Sequence, residues 1–131
     1  MYNLEEIKKL IYNIRGKEVM LDSDLARLYH CKNGTKDINK SVKRNLDRFP
    51  SDFYFQLTNE EYNFLKFQSG TSNILGRGGV RKLPYVFTEQ GVAMLATILK
   101  TPIATEMMYL IEKGLMHPVH RDIVPKVLKL K

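Results

Sequence analysis

The chain has one cysteine, Cys31, in 131 residues, so it can form neither an internal disulfide nor a cysteine-rich zinc site. A lone thiol fits a reducing compartment. Long hydrophobic runs are also missing, and no stretch approaches the roughly 20 apolar residues that a spanning helix needs. The first residues, with Glu5 and Glu6 among them, lack the basic and apolar regions of a signal peptide, so a cytoplasmic protein is expected. Histidine is scarce. His117-x-x-His120-x-Asp122 is interrupted by Pro118 and has no third ligand in place, and His30 beside Cys31 lies in a turn where neighbouring side chains do not reliably face each other. The Gly-x4-Gly-Lys-Ser/Thr spacing of a nucleotide loop is absent as well. No catalytic residue, metal or cofactor is therefore expected, and the chain does not read as an enzyme.

What the sequence does have is positive charge in particular places. The net charge is +7, with 44% hydrophobic and 27% charged residues, a composition ordinary for one globular domain of this length. Residues 1–31 balance to zero. Residues 32–48 carry Lys32, Lys36, Lys40, Lys43, Arg44 and Arg48 against Asp37 and Asp47, a local excess of +4. Residues 62–88 carry Lys66, Arg77, Arg81 and Lys82 with no acid, again +4, and residues 113–131 contribute a third basic segment of +4. Clustered cations create a field, whereas evenly spread ones mainly confer solubility.

Hydrophobic spacing gives a coarse map. Leu4, Ile7, Leu10, Ile11 and Ile14 recur at helical intervals and predict an amphipathic helix over 4–14, broken by Arg15-Gly16. Val19-Met20-Leu21 reads as a short strand, and Asp22 as the N-cap of a helix carrying Leu25, Ala26, Leu28 and Tyr29. Asn33-Gly34 marks a turn, and Thr35 is placed to cap the helix that follows, predicted over 35–48. Helix, glycine-bearing turn, helix is the helix-turn-helix pattern.

At about 100° per residue, Ile38, Val42, Leu46 and Phe49 fall on one stripe of this helix, and Lys36, Lys40, Lys43 and Arg44 on the other side, with Asn39 at the edge. Lysine and arginine on such a face neutralise phosphates. Asn39, Lys43 and Arg44 also suit base edges, asparagine pairing with adenine and arginine or lysine with guanine. The plain alternative is a solvated face, which charged helix faces usually are; the turn before the helix favours nucleic acid. A-form RNA, whose narrow groove does not admit a helix, fits less well than duplex DNA.

Downstream, Phe49-Pro50 ends the helix. Phe53, Phe55 and Leu57 alternate as one face of a half-buried strand, and Thr58 to Glu61 form a capping box opening a helix with Tyr62, Leu65 and Phe64 buried. Tyr54 and Phe67 have rings able to stack on bases, but aromatics at this spacing are more often core, and core is expected. Residues 68–82 are a loop rich in glycine, serine and bases, whose part 76–82 is read as a wing with Arg77, Arg81 and Lys82 touching the backbone or minor groove, or else as a plain surface loop. The strand over 82–87 is expected at a sheet edge because Pro84 cannot donate to a ladder. Thr88 caps a helix apolar nearly all round, and Thr101-Pro102 starts another whose Met107, Met108, Leu110 and Ile111 suggest a dimer face or a surface for a protein partner.

Four ordered blocks carry a resemblance: Val19 to Tyr29, Asn39 to Phe53, Phe55 to Thr58, and Leu83 to Leu95. Together they resemble the phage and prophage "ORF-six N-terminal" domain over about residues 7–100. The resemblance implies a DNA-binding domain akin to the KilA-N and Bro-N modules of antirepressors, with a repressor protein as a further partner. The expectation is an α+β, winged-helix-like domain spanning 1–116, followed by a basic tail or linker, 117–131, toward a further C-terminal domain. It would bind duplex DNA through Thr35, Lys36, Asn39, Lys40, Lys43 and Arg44, and through Arg77, Arg81 and Lys82.

Overall fold

A computed structural model describes residues 4–69 and 82–116, the side chains of Gln68 and Ser69 excepted. In chain order the elements are α1 (Leu4–Lys8), β1 (Ile11–Ile14), β2 (Lys17–Leu21), α2 (Asp22–Leu28), α3 (Thr35–Lys43), a single 3-10 turn (Leu46–Arg48), β3 (Tyr54–Gln56), α4 (Asn59–Ser69), β4 (Tyr85–Thr88), α5 (Glu89–Leu99) and α6 (Pro102–Glu112). The four strands form one antiparallel sheet in the order β1-β2-β4-β3. The class is α+β as expected, with the C-terminal helical pair in place.

The expected helix over 4–14 stops at Lys8 and gives way to β1. Arg15 and Gly16, with φ of 58° and 74°, make a two-residue turn that pairs Ile14 with Lys17. Two successive positive φ values match the right-handed strand twist, so a β-hairpin closes here. The apolar spacing of 4–14 fits a helix, but Ile11-Tyr12-Asn13-Ile14 is also β-branched and aromatic, and pairing with β2 decides the outcome.

Both sheet faces are covered. Ile11, Met20, Tyr54 and Phe87 face the main core, which is completed by Ile7, Leu25, Leu28, Ile38, Val42, Val92, Leu95 and Met107 from the helices. Tyr12, Ile14, Val19, Leu21, Phe55, Leu57 and Val86 face the other way and are closed by Leu65 of α4. Phe53 packs against the main core and Phe55 and Leu57 against the second, so these three do not share a face as expected.

The strand at 85–88 is interior rather than at an edge. Pro84 lies just before it, where a missing N–H is harmless, and its carbonyl accepts from Leu57 N–H at 3.0 Å. Thr88 closes β4 and caps α5, accepting from Gly91 N–H at 3.5 Å while its hydroxyl donates to the Asp52 carbonyl at 2.8 Å. Gly91 permits this junction, because a Cβ there would lie 2.0 Å from the Phe53 carbonyl oxygen. Thr101 caps α6 through Ala104 N–H at 3.2 Å, with Pro102 at the first position.

The capping box of α4 forms reciprocally, Glu61 N–H to Thr58 Oγ1 at 3.1 Å and Thr58 N–H to Glu61 Oε1 at 2.9 Å. Arg15 of the hairpin turn adds a two-point bond to the same carboxylate, at 2.6 and 3.1 Å, and stacks over Phe55. Leu65 is fully buried, but Phe64 is 55% and Phe67 84% exposed, contrary to expectation. Among the described residues the second core is one helix deep, so α4 buries a single stripe and leaves the opposite stripe exposed. Among the described residues no helix is long and apolar enough to cross a membrane.

Candidate nucleic-acid interface

α2 and α3 pack against each other across the turn at 29–34, and Ile38 and Val42 bolt α3 to the main core. The turn is held from within: Asn33 donates from its backbone N–H and from Nδ2 to the two oxygens of Asp37, at 3.0 and 3.2 Å. These bonds hold the Asp37 carboxyl below its usual range, so this acid is committed to the turn. The N-cap is Gly34, at φ 64°, and not Thr35; no side chain caps the helix. Thr35 is already helical.

The helix is shorter than expected. It ends at Lys43, with Arg44 as C-cap, and the Asn45 amide bonds back to the Ser41 carbonyl at 2.8 Å. A side chain competing for a backbone carbonyl in this way is a helix-ending device. Past that point the 100° projection no longer applies, and Leu46, expected in the core stripe, is 57% exposed. The 3-10 turn returns Phe49 to the core, edge-on to Tyr54 and Phe87 at 5.7 and 6.1 Å.

Lys36, Lys40, Lys43 and Arg44 are all exposed and lie on the side of α3 away from Ile38 and Val42. Asn39 and Thr35 are half-buried at one edge of this basic face. They form one wall of a cleft of about 210 Å³, whose opposite wall is the chain from Lys82 to Tyr85 entering β4. Of the predicted site residues, Thr35, Asn39 and Lys82 are thus brought together although 43 residues separate Asn39 from Lys82 in sequence. Arg77 and Arg81, and the wing reading of 76–82 apart from Lys82, lie outside the described residues.

The cleft contains a residue whose role the sequence did not disclose. Asp22 was expected to cap α2, but Leu21 is the N-cap and the Asp22 side chain instead accepts from Tyr85 N–H at 3.2 Å. Burial pushes its carboxyl upward, opposed by hydrogen bonds from the Tyr85 and Ser23 backbones and by Lys82; Asp24 adds to the rise. Asp22 thereby ties α2 to the mouth of β4 and sets the position of Lys82 relative to α3. No local signal marks this, because its partner lies 63 residues away. An acidic floor disfavours an anion inside the cleft.

Cys31 is half-buried and burial pushes its thiol pKa up, away from the reactive thiolate. Among the described residues no group of three or more histidine, cysteine or carboxylate side chains is placed to hold a metal. His117, His120 and Asp122 lie outside the described residues.

The model of the ORF6N domain family matches residues 9–98, most of the described fold from the first hairpin to the end of α5. The chain belongs to the ORF6N domain family. No curated protein and no solved structure matches it.

Proposed function

We propose that this domain binds duplex DNA with α3 in the major groove, as part of a phage-type regulatory, antirepressor-like protein. Lys36, Lys40, Lys43 and Arg44 neutralise phosphates along the groove, and Asn39, at the lip of the cleft, is the side chain placed to meet a base edge. Lys82, the last residue of the basic loop read as a wing, faces the same helix across the cleft. The observation that carries the reading is the convergence of Thr35, Asn39 and Lys82 on one cleft next to an exposed basic face. Lys82 adds a cation from a distant segment to the field of the basic face, and clustered cations of this kind are the electrostatic footprint of phosphate binding.

The test is a salt titration of binding to random duplex, single-stranded DNA and RNA, with Lys40, Lys43 and Arg44 changed together to alanine. Duplex should bind most tightly, and the salt slope should fall by about 0.9 for each lost phosphate contact. An unchanged slope removes α3 from the interface. Asn39→Ala should leave the slope alone and cost about 1–3 kcal/mol of sequence discrimination.

The competing reading, a protein-interaction module or a homodimer through helix 102–116, is narrowed by burial. Met107 and Ile111 belong to the domain's own core. Ile103, Met108, Tyr109 and Leu110 keep some exposed surface, so any contact through this helix uses its outer flank.

A further inference from the structure

Asp22 stands where a strand ladder runs out. The register of β2 on β4 pairs Leu21 with Val86, so the next rung would set Asp22 opposite Tyr85. That rung is not continued by the backbone, because the chain turns into α2 at Asp22. The Asp22 carboxylate takes its place and accepts the Tyr85 N–H at 3.2 Å. On the β3 side of the same segment, Gln56 Nε2 donates to the Leu83 carbonyl at 2.9 Å and the Leu57 N–H to that of Pro84 at 3.0 Å. Those two bonds fix residues 83–84 to the chain around β3, and the Asp22 bond fixes the mouth of β4 to the start of α2.

The second attachment has a consequence for charge. α2 packs on α3, so a bond to the first residue of α2 also sets where Lys82 stands relative to α3. Lys82 and Asp22 line the same cleft as Thr35 and Asn39, and Lys82 is near enough for its charge to draw the Asp22 carboxyl down against the upward push of burial. Lys82 itself is exposed, whereas Asp22 is buried. Asp22 therefore has two effects of opposite sign on an anionic partner. As an acceptor it holds a cation beside α3, and as a buried charge it subtracts from the field of that cation.

We propose that Asp22 is a positioning residue that couples the two segments of the nucleic-acid interface: its acceptor oxygen keeps Lys82 within reach of a phosphate of the duplex held by α3, while its charge tempers how tightly that duplex is held. The proposal rests on the duplex-binding reading of α3. Asp22 touches no DNA and acts through the Tyr85 N–H and the short run of chain back to Lys82.

Salt titrations of the full chain against random-sequence duplex, followed by fluorescence anisotropy, test it. Lys82→Ala should lower the salt slope by about 0.9, one phosphate contact. Asp22→Ala should lower it by the same amount, and the double variant by no more than either alone, because both remove one contact. Asp22→Asn keeps an acceptor for Tyr85 and removes the charge, so it should keep the slope and bind at least as tightly as the unaltered chain. A purely structural role would weaken both Asp22 variants. Hydrogen exchange reads the tie without DNA: the Tyr85 amide should be protected in the unaltered chain and in Asp22→Asn and should exchange faster in Asp22→Ala, with urea denaturation showing that each variant is folded. If Asp22→Ala does not fold, Lys82→Ala and Asp22→Asn decide the matter. A slope indifferent to Lys82→Ala, additive losses in the double variant, or an Asn variant as weak as the Ala variant overturns the inference and leaves duplex binding by α3 in place. No salt-dependent duplex binding by the unaltered chain sinks the α3 reading itself, and this inference with it.

Discussion

α3 and α4 are two amphipathic helices on opposite faces of one sheet, and they treat solvent in opposite ways. α3 buries Ile38 and Val42 and turns Lys36, Lys40 and Lys43 outward. α4 buries Leu65 and turns Phe64 and Phe67 outward. The difference lies in what each packs on. α3 meets a core built by four other helices and the sheet, so its apolar residues are absorbed and only the polar ones remain outside. Among the described residues α4 is the one helix on its face, and a single helix buries one stripe however many aromatic residues it carries. The cations of the first helix are what its absorbed apolar stripe leaves outside, whereas the exposed rings of the second lie on a stripe that the described residues do not cover.

Several substitutions break or sharpen this contrast. The largest effect is expected on the deep side: Gly91→Ala forces a Cβ against the Phe53 carbonyl, where the neighbour is backbone and cannot yield cheaply. It should cost more than about 4 kcal/mol and leave little folded protein, measured by urea denaturation. On the shallow side, Leu65→Ala should cost about 2–5 kcal/mol in the same assay, toward the lower end if α4 can settle onto the sheet. A loss at the top of that range would mean that α4 cannot settle onto the sheet.

Next comes the anchor of α4. The Arg15 guanidinium, followed by the Thr58 backbone N–H and hydroxyl, holds the Glu61 carboxyl below its ordinary range. A depressed carboxylate gives stability that is present above the unfolded pKa and is lost as the pH falls through the folded one. Glu61→Gln keeps an acceptor for the Thr58 N–H and removes the charge that Arg15 pairs with, so it should cost up to about 1 kcal/mol at neutral pH, and the gap from the unaltered chain should close on acidification through and below the ordinary glutamate range. A gap that persists at the lowest pH would show that packing, not charge, holds the helix end. Asp22 works in the reverse sense: burial raises its carboxyl, so its contribution is most favourable below the unfolded pKa and is lost as the pH rises through the folded one. The smallest effect is Phe67→Lys, which should change stability by less than about 0.5 kcal/mol. A clear loss there would show that the ring is packed after all.

The same contrast explains which parts of the molecule could be read early. The cationic face of α3 was legible because charge and helical period are local properties, as were the Thr58–Glu61 box and the caps at Thr88 and Thr101. The end of α3 was not, because the bond from Asn45 to the Ser41 carbonyl competes with further turns of a sequence whose spacing still fits a helix. Nor was β1, where Ile11 and Ile14 satisfy both periods and the hairpin partner decides. Phe64 and Phe67 were misjudged because hydrophobicity says that a ring prefers burial, and not whether there is a layer to bury it in.

By itself the sequence determined the chemistry on offer: a +7 chain without a cysteine framework, a basic helix after a glycine turn, and four blocks of the ORF6N pattern. Tertiary structure alone decided where that chemistry gathers. It set β4 inside the sheet, turned Asp22 from a supposed cap into a tie to Tyr85, and so brought Lys82 opposite Asn39. The physical reason is that helix period, capping and charge are written within a few residues, whereas strand order and a shared cleft depend on contacts between segments dozens of residues apart, whose loop-closure cost only the completed core repays.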